Sequence, residues 1–279
     1  MSRERVGLFE LSASNGPKTV DVVAVHGLQG DALKTWEHEN GSLWLRDFLP
    51  KDLPSAYVMT FGYDSTVAFS KSVAEIEDKA LDLLNRLGAE RAVSRNAASK
   101  AITIIFICHS LGGILVKKAI VLAYERCCVP EFEDIANYTM SIAFMGVPHK
   151  GSTSAWWGNL AANILNGVSI GTSTNTRLIT DLRKNSSNLV KISTQFIHRS
   201  QSLRIYTFYE TKRLGPVVVR SYTDRDILLI DQCYRRLSIK YPRKSVFRTN
   251  GFLQLMQITE VYVGSRLSQA KNIKLLGVR

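Results

Sequence analysis

The sequence has few cysteines and no long apolar segment. Its four cysteines are Cys108, the adjacent Cys127 and Cys128, and Cys233, and these spacings match neither a zinc site nor a disulfide framework. We interpret them as reduced thiols. The N-terminus lacks the apolar core of a signal peptide, and no uncharged apolar run approaches the roughly 20 residues that span a bilayer. These absences indicate a soluble intracellular protein, with contact between an apolar loop and a membrane surface left open.

Two phosphate-binding motifs are also missing. The glycine-containing loop at residues 26–30 is not followed by a Gly-x-x-x-x-Gly-Lys pattern, and no Gly-x-Gly-x-x-Gly occurs. The cysteine and histidine spacings show no metal-binding pattern. The sequence therefore disfavours nucleotide binding, and we expect neither a cofactor nor a metal ion.

Little net positive charge is present outside the C-terminal part of the chain. The formal net charge is +12, yet residues 211–279 alone hold fourteen Lys/Arg against four Asp/Glu, which leaves the rest almost neutral. The basic segment shows no helix-turn-helix, zinc-finger or aromatic-basic RNA signature. We therefore do not expect nucleic acid as a partner, and the sequence indicates no oligomeric state.

Hydrophobic residues make up 45% of the chain, enough for a full core, and they occur in alternating strand-like and helix-like segments. Such alternation predicts an α/β fold with a doubly wound, mostly parallel sheet, whose sites lie at the carboxyl ends of its strands. We assign residues 1–18 to a lead-in, 19–218 to the domain and 219–279 to an atypical basic tail. The predicted strands are Val20–Val25, Ala56–Phe61, Ile102–Ile107, Met140–Met145 and Arg204–Glu210, and the predicted helices are Val67–Leu87 and Gly113–Tyr124.

The pentapeptide Cys108-His109-Ser110-Leu111-Gly112 lies between an apolar strand and a helix. A serine between small residues at such a junction can occupy a strained turn that presents its hydroxyl as a nucleophile. Cys108 stands where the common Gly-x-Ser-x-Gly pattern has its first glycine, and it is small enough to preserve the close packing. An ordinary buried strand followed by a helix cap is the alternative interpretation.

A second loop, which begins at His26, follows the strand Val20–Val25. It contains Gly27, Leu28 and Gln29, and loops of this kind supply backbone N–H groups. An oxyanion hole at such a serine combines the N–H of the next residue, Leu111, with one from the earlier loop, near Leu28 or Gln29. We interpret His26 as a residue that shapes this loop rather than as a catalytic group.

Six ordered blocks within residues 19–218 resemble the fungal α/β-hydrolase domain related to the serine active site-containing protein and to lipase-like, DUF676-type hydrolases. The resemblance implies an α/β-hydrolase fold and serine esterase or lipase activity on a small-molecule acyl ester or lipid. It also implies a cytoplasmic location or association with endoplasmic reticulum or mitochondrial membranes. The blocks are VVAVHGLQGD, WLRDFLP, VMTFGYDS, IIFICHSLGGILVKKA, FMGVPHKGS and IYTFYET.

Carried onto these residues, the resemblance implies that Ser110 is the nucleophile and that Glu210 is the acid that orients a histidine. A strand-end glutamate paired with Lys212 or Arg213 is the equally weighted alternative for Glu210. His149 would help to shape the loop beside the site, as would His109 and Gly112 within the pentapeptide. A triad of this fold runs serine, acid, histidine, but none of the five histidines follows Glu210.

Loss of the histidine predicts a chain that is nearly inactive as written. Two function classes follow: an impaired ester hydrolase, or a non-catalytic interaction or signalling module that belongs to a larger receptor-like protein.

The tail offers a cause for the loss of the histidine, because the codons for Leu255 to Gly264, read two bases later, permit the family's Asn-Ala-Asp-His-Arg-Ser-x-Cys-Arg-Phe segment. Met256 followed by Gln257 forces the alanine. Our hypothesis is a frameshifted or mis-spliced tail after about Val219, and the alternative is a genuine divergent extension.

Overall fold

Seven strands form one sheet in the computed structural model, which describes residues 5–13, 17–38, 40–65, 68, 73–97, 102–147, 180–210 and 273–276. His149 and most of the basic tail lie outside the described residues. The strands are β1 (Gly7–Ser12), β2 (Val20–Val25), β3 (Ala56–Gly62), β4 (Thr103–His109), β5 (Thr139–Met145), β6 (Arg204–Glu210) and β7 (Ile273–Leu276).

The sheet is mostly parallel, which confirms the predicted fold class. Its strand order is β1-β3-β2-β4-β5-β6-β7, and the pairs from β3 through β6 are all parallel. Every residue of β2 is buried, as expected for a central strand that is covered on both faces. Such strands appear in a sequence as continuous apolar runs, and the predicted Val20–Val25 therefore coincides with β2.

The two edge strands are antiparallel, and neither was predicted. The assumed lead-in at residues 1–18 contains β1, which pairs with β3, and the tail contributes β7, which pairs with β6. The two strands have only six and four residues, and stretches of this length carry little hydrophobic periodicity. In the register of β6 with β7, Glu210 faces Ile273.

Helices cover both faces of the sheet. They are α1 (Trp44–Asp47), α2 (Leu49–Asp52), α3 (Val73–Ala97), α4 (Gly112–Glu125), α5 (Pro130–Tyr138) and α6 (Ser186–Arg199). The longer helices, α3 to α6, share one apolar cluster with alternate residues of β2 and β4, and α1 and α2 share a second cluster on the opposite face. Within the described part of the chain, no helix is both long and apolar enough to cross a membrane.

Lys117 is a cation inside the larger apolar cluster. It lies on α4, its side-chain nitrogen donates to Ser193 Oγ at 3.3 Å, and the rings of Phe144 and Phe196 lie 5.4 and 6.0 Å from that nitrogen. Burial lowers the pKa of Lys117 from 10.5 to about 7. The folded protein therefore binds this proton less readily than the unfolded chain does.

The Lys117→Met variant is expected to be more stable than the wild type by about 1–4 kcal/mol at pH 7, because methionine needs no desolvation of a charge. Between about pH 7 and 10.5 the unfolded chain holds more protons at Lys117 than the folded protein does, so wild-type stability falls as pH falls through that window. Urea unfolding at pH 7 and pH 9 measures both effects. Lys118→Met is the control, because Lys118 is the next residue of α4 but its ammonium pairs with Glu77 at 2.9 Å.

Identical unfolding midpoints for wild type and Lys117→Met at both pH values would contradict this account of the buried amine.

Candidate active site

Ser110 occupies a strained turn between β4 and α4. Its φ is 49°, and among the described residues only Gln29, at 54°, is another non-glycine residue with positive φ. The Ser110 N–H donates to Met145 O at 2.9 Å, and the Gly113 N–H donates to Ser110 O at 3.1 Å. A left-handed serine held by hydrogen bonds on both sides is typical of a nucleophile rather than of an ordinary helix cap.

The loop after β2 lies directly against this turn. A Cβ atom added to Gly27 would lie 2.6 Å from Ser110 Cβ, and one added to Gly112 would lie 2.1 Å from the carbonyl oxygen of His26. Both distances are too short for a side chain, so both positions require glycine. The carboxyl ends of β2 and β4 therefore bring the glycine-containing loop to the serine, as the sequence predicted.

Two backbone N–H groups border the serine without an acceptor. Within the residues that the structure describes, neither the Leu28 N–H nor the Leu111 N–H makes a hydrogen bond. The Gln29 N–H, in contrast, donates to Ser65 Oγ at 2.8 Å. Leu28 and Leu111 thus remain the candidate oxyanion donors, whereas Gln29, an equal candidate from the sequence, has its N–H engaged elsewhere.

Access to the hydroxyl is narrow, since Ser110 as a whole is 7% exposed.

His26 is held on both ring nitrogens. Its Nε2 accepts the Tyr63 N–H at 3.2 Å, which requires the other nitrogen, Nδ1, to carry the proton and donate to Gly27 O at 2.9 Å. Burial lowers the pKa of His26, so the neutral ring is favoured. This arrangement matches the predicted loop-shaping role and leaves His26 no free nitrogen to act as a base for Ser110.

The two residues that precede Ser110, Cys108 and His109, lie in different environments at the end of β4. Cys108 is fully buried in the apolar cluster, and burial raises the pKa of its thiol. It therefore acts as a small apolar residue at the position of the pattern's first glycine. His109 is exposed, and its ring lies edge-on to Trp36 with centroids 6.5 Å apart.

Glu210 is the last residue of β6 and so lies at the carboxyl end of the sheet, on the same edge as Ser110. Its side chain lies outside the described residues, as does His149. The acid role of Glu210 and the loop-shaping role of His149 remain predictions.

Sequence reasoning missed Tyr63 and Ser65, which it included within the block VMTFGYDS without a role. Both side chains are buried and both contact the glycine-containing loop. Their position in the sequence could have indicated this contact. They follow the carboxyl end of β3, and parallel strands bring their carboxyl ends to the same edge of the sheet.

Comparison with known proteins gives the family. The family described as "Putative serine esterase (DUF676)" matches residues 18–217. The chain belongs to this family. The family match and the mostly parallel sheet together give an α/β-hydrolase fold of esterase or lipase-like type, and the resemblance seen in the six sequence blocks is confirmed.

Curated relatives of this DUF676 member include "Protein SERAC1" from Mus musculus, which is 31% identical over 160 residues, 50% of this chain and 23% of the relative. "Protein SERAC1" from Homo sapiens is 29% identical over 160 residues, with the same two shares. The match thus spans about a quarter of the length of these relatives. A similar solved structure is "Siderophore hydrolase EstB from Aspergillus fumigatus", with 10% identity, a TM-score of 0.48 and coverage of 93% of this chain and 94% of that chain.

Proposed function

We propose that this chain carries the acyl-transfer site of a serine esterase, with small-molecule carboxylic esters or lipid acyl esters as substrates. The observation that carries the proposal is the left-handed Ser110 turn with Gly27 packed against it. Ser110 Oγ forms a bond to the acyl carbon, and the carbonyl oxygen becomes an oxyanion that accepts from the Leu28 and Leu111 N–H groups. Ser110 gives its proton to solvent, the leaving alkoxide takes one up as the intermediate collapses, and the released alcohol leaves an acyl-serine for water to hydrolyse.

The proton of Ser110 is the weak point of this reaction. His26 is engaged on both nitrogens, and no histidine follows Glu210 in the chain. Without a base the hydroxyl keeps its proton at neutral pH, and turnover should be lower by about 10⁴- to 10⁶-fold than with a complete triad. We therefore propose an impaired hydrolase with an intact nucleophile and oxyanion site, in which Glu210 is the acid that would orient the missing base.

A change of reading frame after about Val219 explains the missing histidine within this proposal. The family match ends at residue 217, close to where the basic segment begins. Reading of the transcript and the genomic codons tests this directly. Codons under Met256 to Thr259 that spell Ala-Asp-His two bases later support the change of frame, and any other reading contradicts it.

A non-catalytic interaction module is the second candidate, and the absence of a histidine after Glu210 favours it. The two candidates differ in the reactivity of Ser110. In a module the serine needs no reactivity, whereas in an impaired hydrolase the oxyanion donors still accelerate attack on a strong electrophile.

Labelling with a fluorophosphonate separates these candidates. In that reaction a bond forms between Ser110 Oγ and phosphorus, fluoride leaves, and the serine proton goes to solvent. We expect intact mass and peptide mapping to show one slow adduct on Ser110, together with p-nitrophenyl ester turnover close to background. No adduct at any probe concentration would support the module instead.

A further inference from the structure

We propose that Tyr63 is a positioning residue that aims the upstream oxyanion donor, the Leu28 N–H, by holding His26. This inference rests on the proposed function, since it assigns a role in the same reaction. Tyr63 acts through three consecutive contacts in the loop after β2.

The first step is the peptide that joins Gly27 to Leu28. In a trans peptide the C=O and the N–H point in opposite directions within one plane. The Gly27 carbonyl accepts from the Gly30 N–H at 3.0 Å and is 2.9 Å from His26 Nδ1. These two bonds fix the plane, and the Leu28 N–H consequently points away from them.

The second step is the contact of this peptide with the nucleophile. Gly27 packs so closely on Ser110 that an added Cβ would lie 3.3 Å from its Oγ. Because Leu28 directly follows Gly27, we place the Leu28 N–H on the side of the loop that faces the hydroxyl. The direction of the Leu28 N–H depends on the Gly27 carbonyl, and the Gly27 carbonyl depends on His26.

The third step is the support of His26 by Tyr63. The two rings stack with centroids 4.5 Å apart and planes 17° from parallel. The Tyr63 N–H donates to His26 Nε2, and the Tyr63 hydroxyl donates to His26 O at 2.9 Å. Tyr63 thus fixes the position of the His26 ring, keeps the ring proton on Nδ1, and holds the backbone of His26.

Ser65 strengthens the same support from two residues further along. It is fully buried and accepts the Gln29 N–H at 2.8 Å, which keeps Gln29 in its left-handed conformation. The segment after β3 therefore holds the loop on both sides of the Leu28 N–H, while the N–H itself remains without an acceptor among the described residues.

Labelling kinetics of Tyr63 variants test the inference. Tyr63→Phe keeps the ring and loses the hydroxyl, whereas Tyr63→Leu loses both. We expect Tyr63→Leu to lower the maximal rate of fluorophosphonate labelling about 10- to 100-fold, less than the 100- to 1000-fold typical for loss of a donor. Tyr63→Phe should retain most of the rate, and the half-saturating probe concentration should stay within about twofold in both variants.

Two controls separate positioning from general loss of stability. Tyr124→Phe removes a hydroxyl that donates to Ala136 O, and Phe196→Leu removes a buried ring that packs on Phe144. Tyr124→Phe should lose about as much stability as Tyr63→Phe, and Phe196→Leu about as much as Tyr63→Leu. Both controls should label at the wild-type rate. Tyr63→Leu that labels as fast as Phe196→Leu would overturn the inference and leave the proposed function standing.

Amide NMR of the free protein tests, independently of any reaction, whether Tyr63 sets the environment of the Leu28 N–H. We expect the Leu28 resonance to move in both Tyr63 variants and to remain in place in Tyr124→Phe. If the wild-type chain takes no label, the proposed function fails and the NMR alone decides. An unmoved Leu28 resonance then overturns the inference, and a moved one supports it.

Discussion

Replacement of Ser110 by alanine is expected to abolish fluorophosphonate labelling, with a rate at least about 100-fold below that of the wild type. The variant lacks the hydroxyl oxygen that forms the bond to phosphorus in the proposed reaction. Intact-mass measurement over a time course gives the rate. Ser200→Ala is the control, because Ser200 is also buried but donates to Ile197 O on the far side of the protein. Equal labelling of wild type and Ser110→Ala would place the reactive group elsewhere.

Ser110→Gly separates a strained nucleophile turn from an ordinary helix cap. Glycine adopts positive φ without steric cost, so this variant should be more stable than the wild type by roughly 1 kcal/mol while it takes no label. An ordinary cap without strain would be destabilised by glycine. Urea unfolding of the two proteins gives the sign of the difference in their free energies of unfolding.

The largest loss of stability is expected for Arg91→Met, at about 3–5 kcal/mol. Arg91 lies on α3 and is 2% exposed, and its guanidinium binds Asp21 at the start of β2, Asp134 on α5 and the carbonyl of Ile102 before β4. Methionine removes the guanidinium from both buried carboxylates and leaves Asp21 with Lys18, whose nitrogen lies 2.8 Å from Asp21 Oδ1. Since domains of this kind are stable by about 5–15 kcal/mol, the loss is a large fraction of the total.

Arg86→Met is the matched control for Arg91, because Arg86 lies on the same helix and pairs with Asp82 at 2.7 Å near the surface. Exposed pairs contribute about 0–1 kcal/mol, so this variant should unfold close to the wild type. Equal urea midpoints for Arg86→Met and Arg91→Met would refute the structural role of the buried network.

The sequence predicted the central strands well and the helix ends less well. Buried parallel strands are continuous apolar runs, and β2 and β6 coincide with their predicted bounds. The structure describes α3 over Val73–Ala97, so this helix continues past the end predicted at Leu87, whereas the predicted start at Val67 lies outside the described residues. The apolar pattern ends early because Arg91, which α3 buries, looks like a surface residue in a sequence.

In the candidate site, the local motifs could be predicted from the sequence, but the hydrogen bonds between residues distant in the sequence could not. Ser110, Leu111 and the glycine-containing loop follow from local motifs, and the structure brings them together. The choice between Leu28 and Gln29 depends on Ser65, which is 36 positions from Gln29, and no local pattern reports that contact. The role of Tyr63 depends on stacking against His26 across an equally long separation.

The most direct test of the account is a crystal structure of the protein after fluorophosphonate labelling. The account predicts phosphorus on Ser110 Oγ, with the phosphoryl oxygen about 2.7–3.1 Å from the backbone nitrogens of both Leu28 and Leu111. A phosphoryl oxygen bound to the Gln29 N–H, one directed to solvent, or an adduct on any other residue would contradict it.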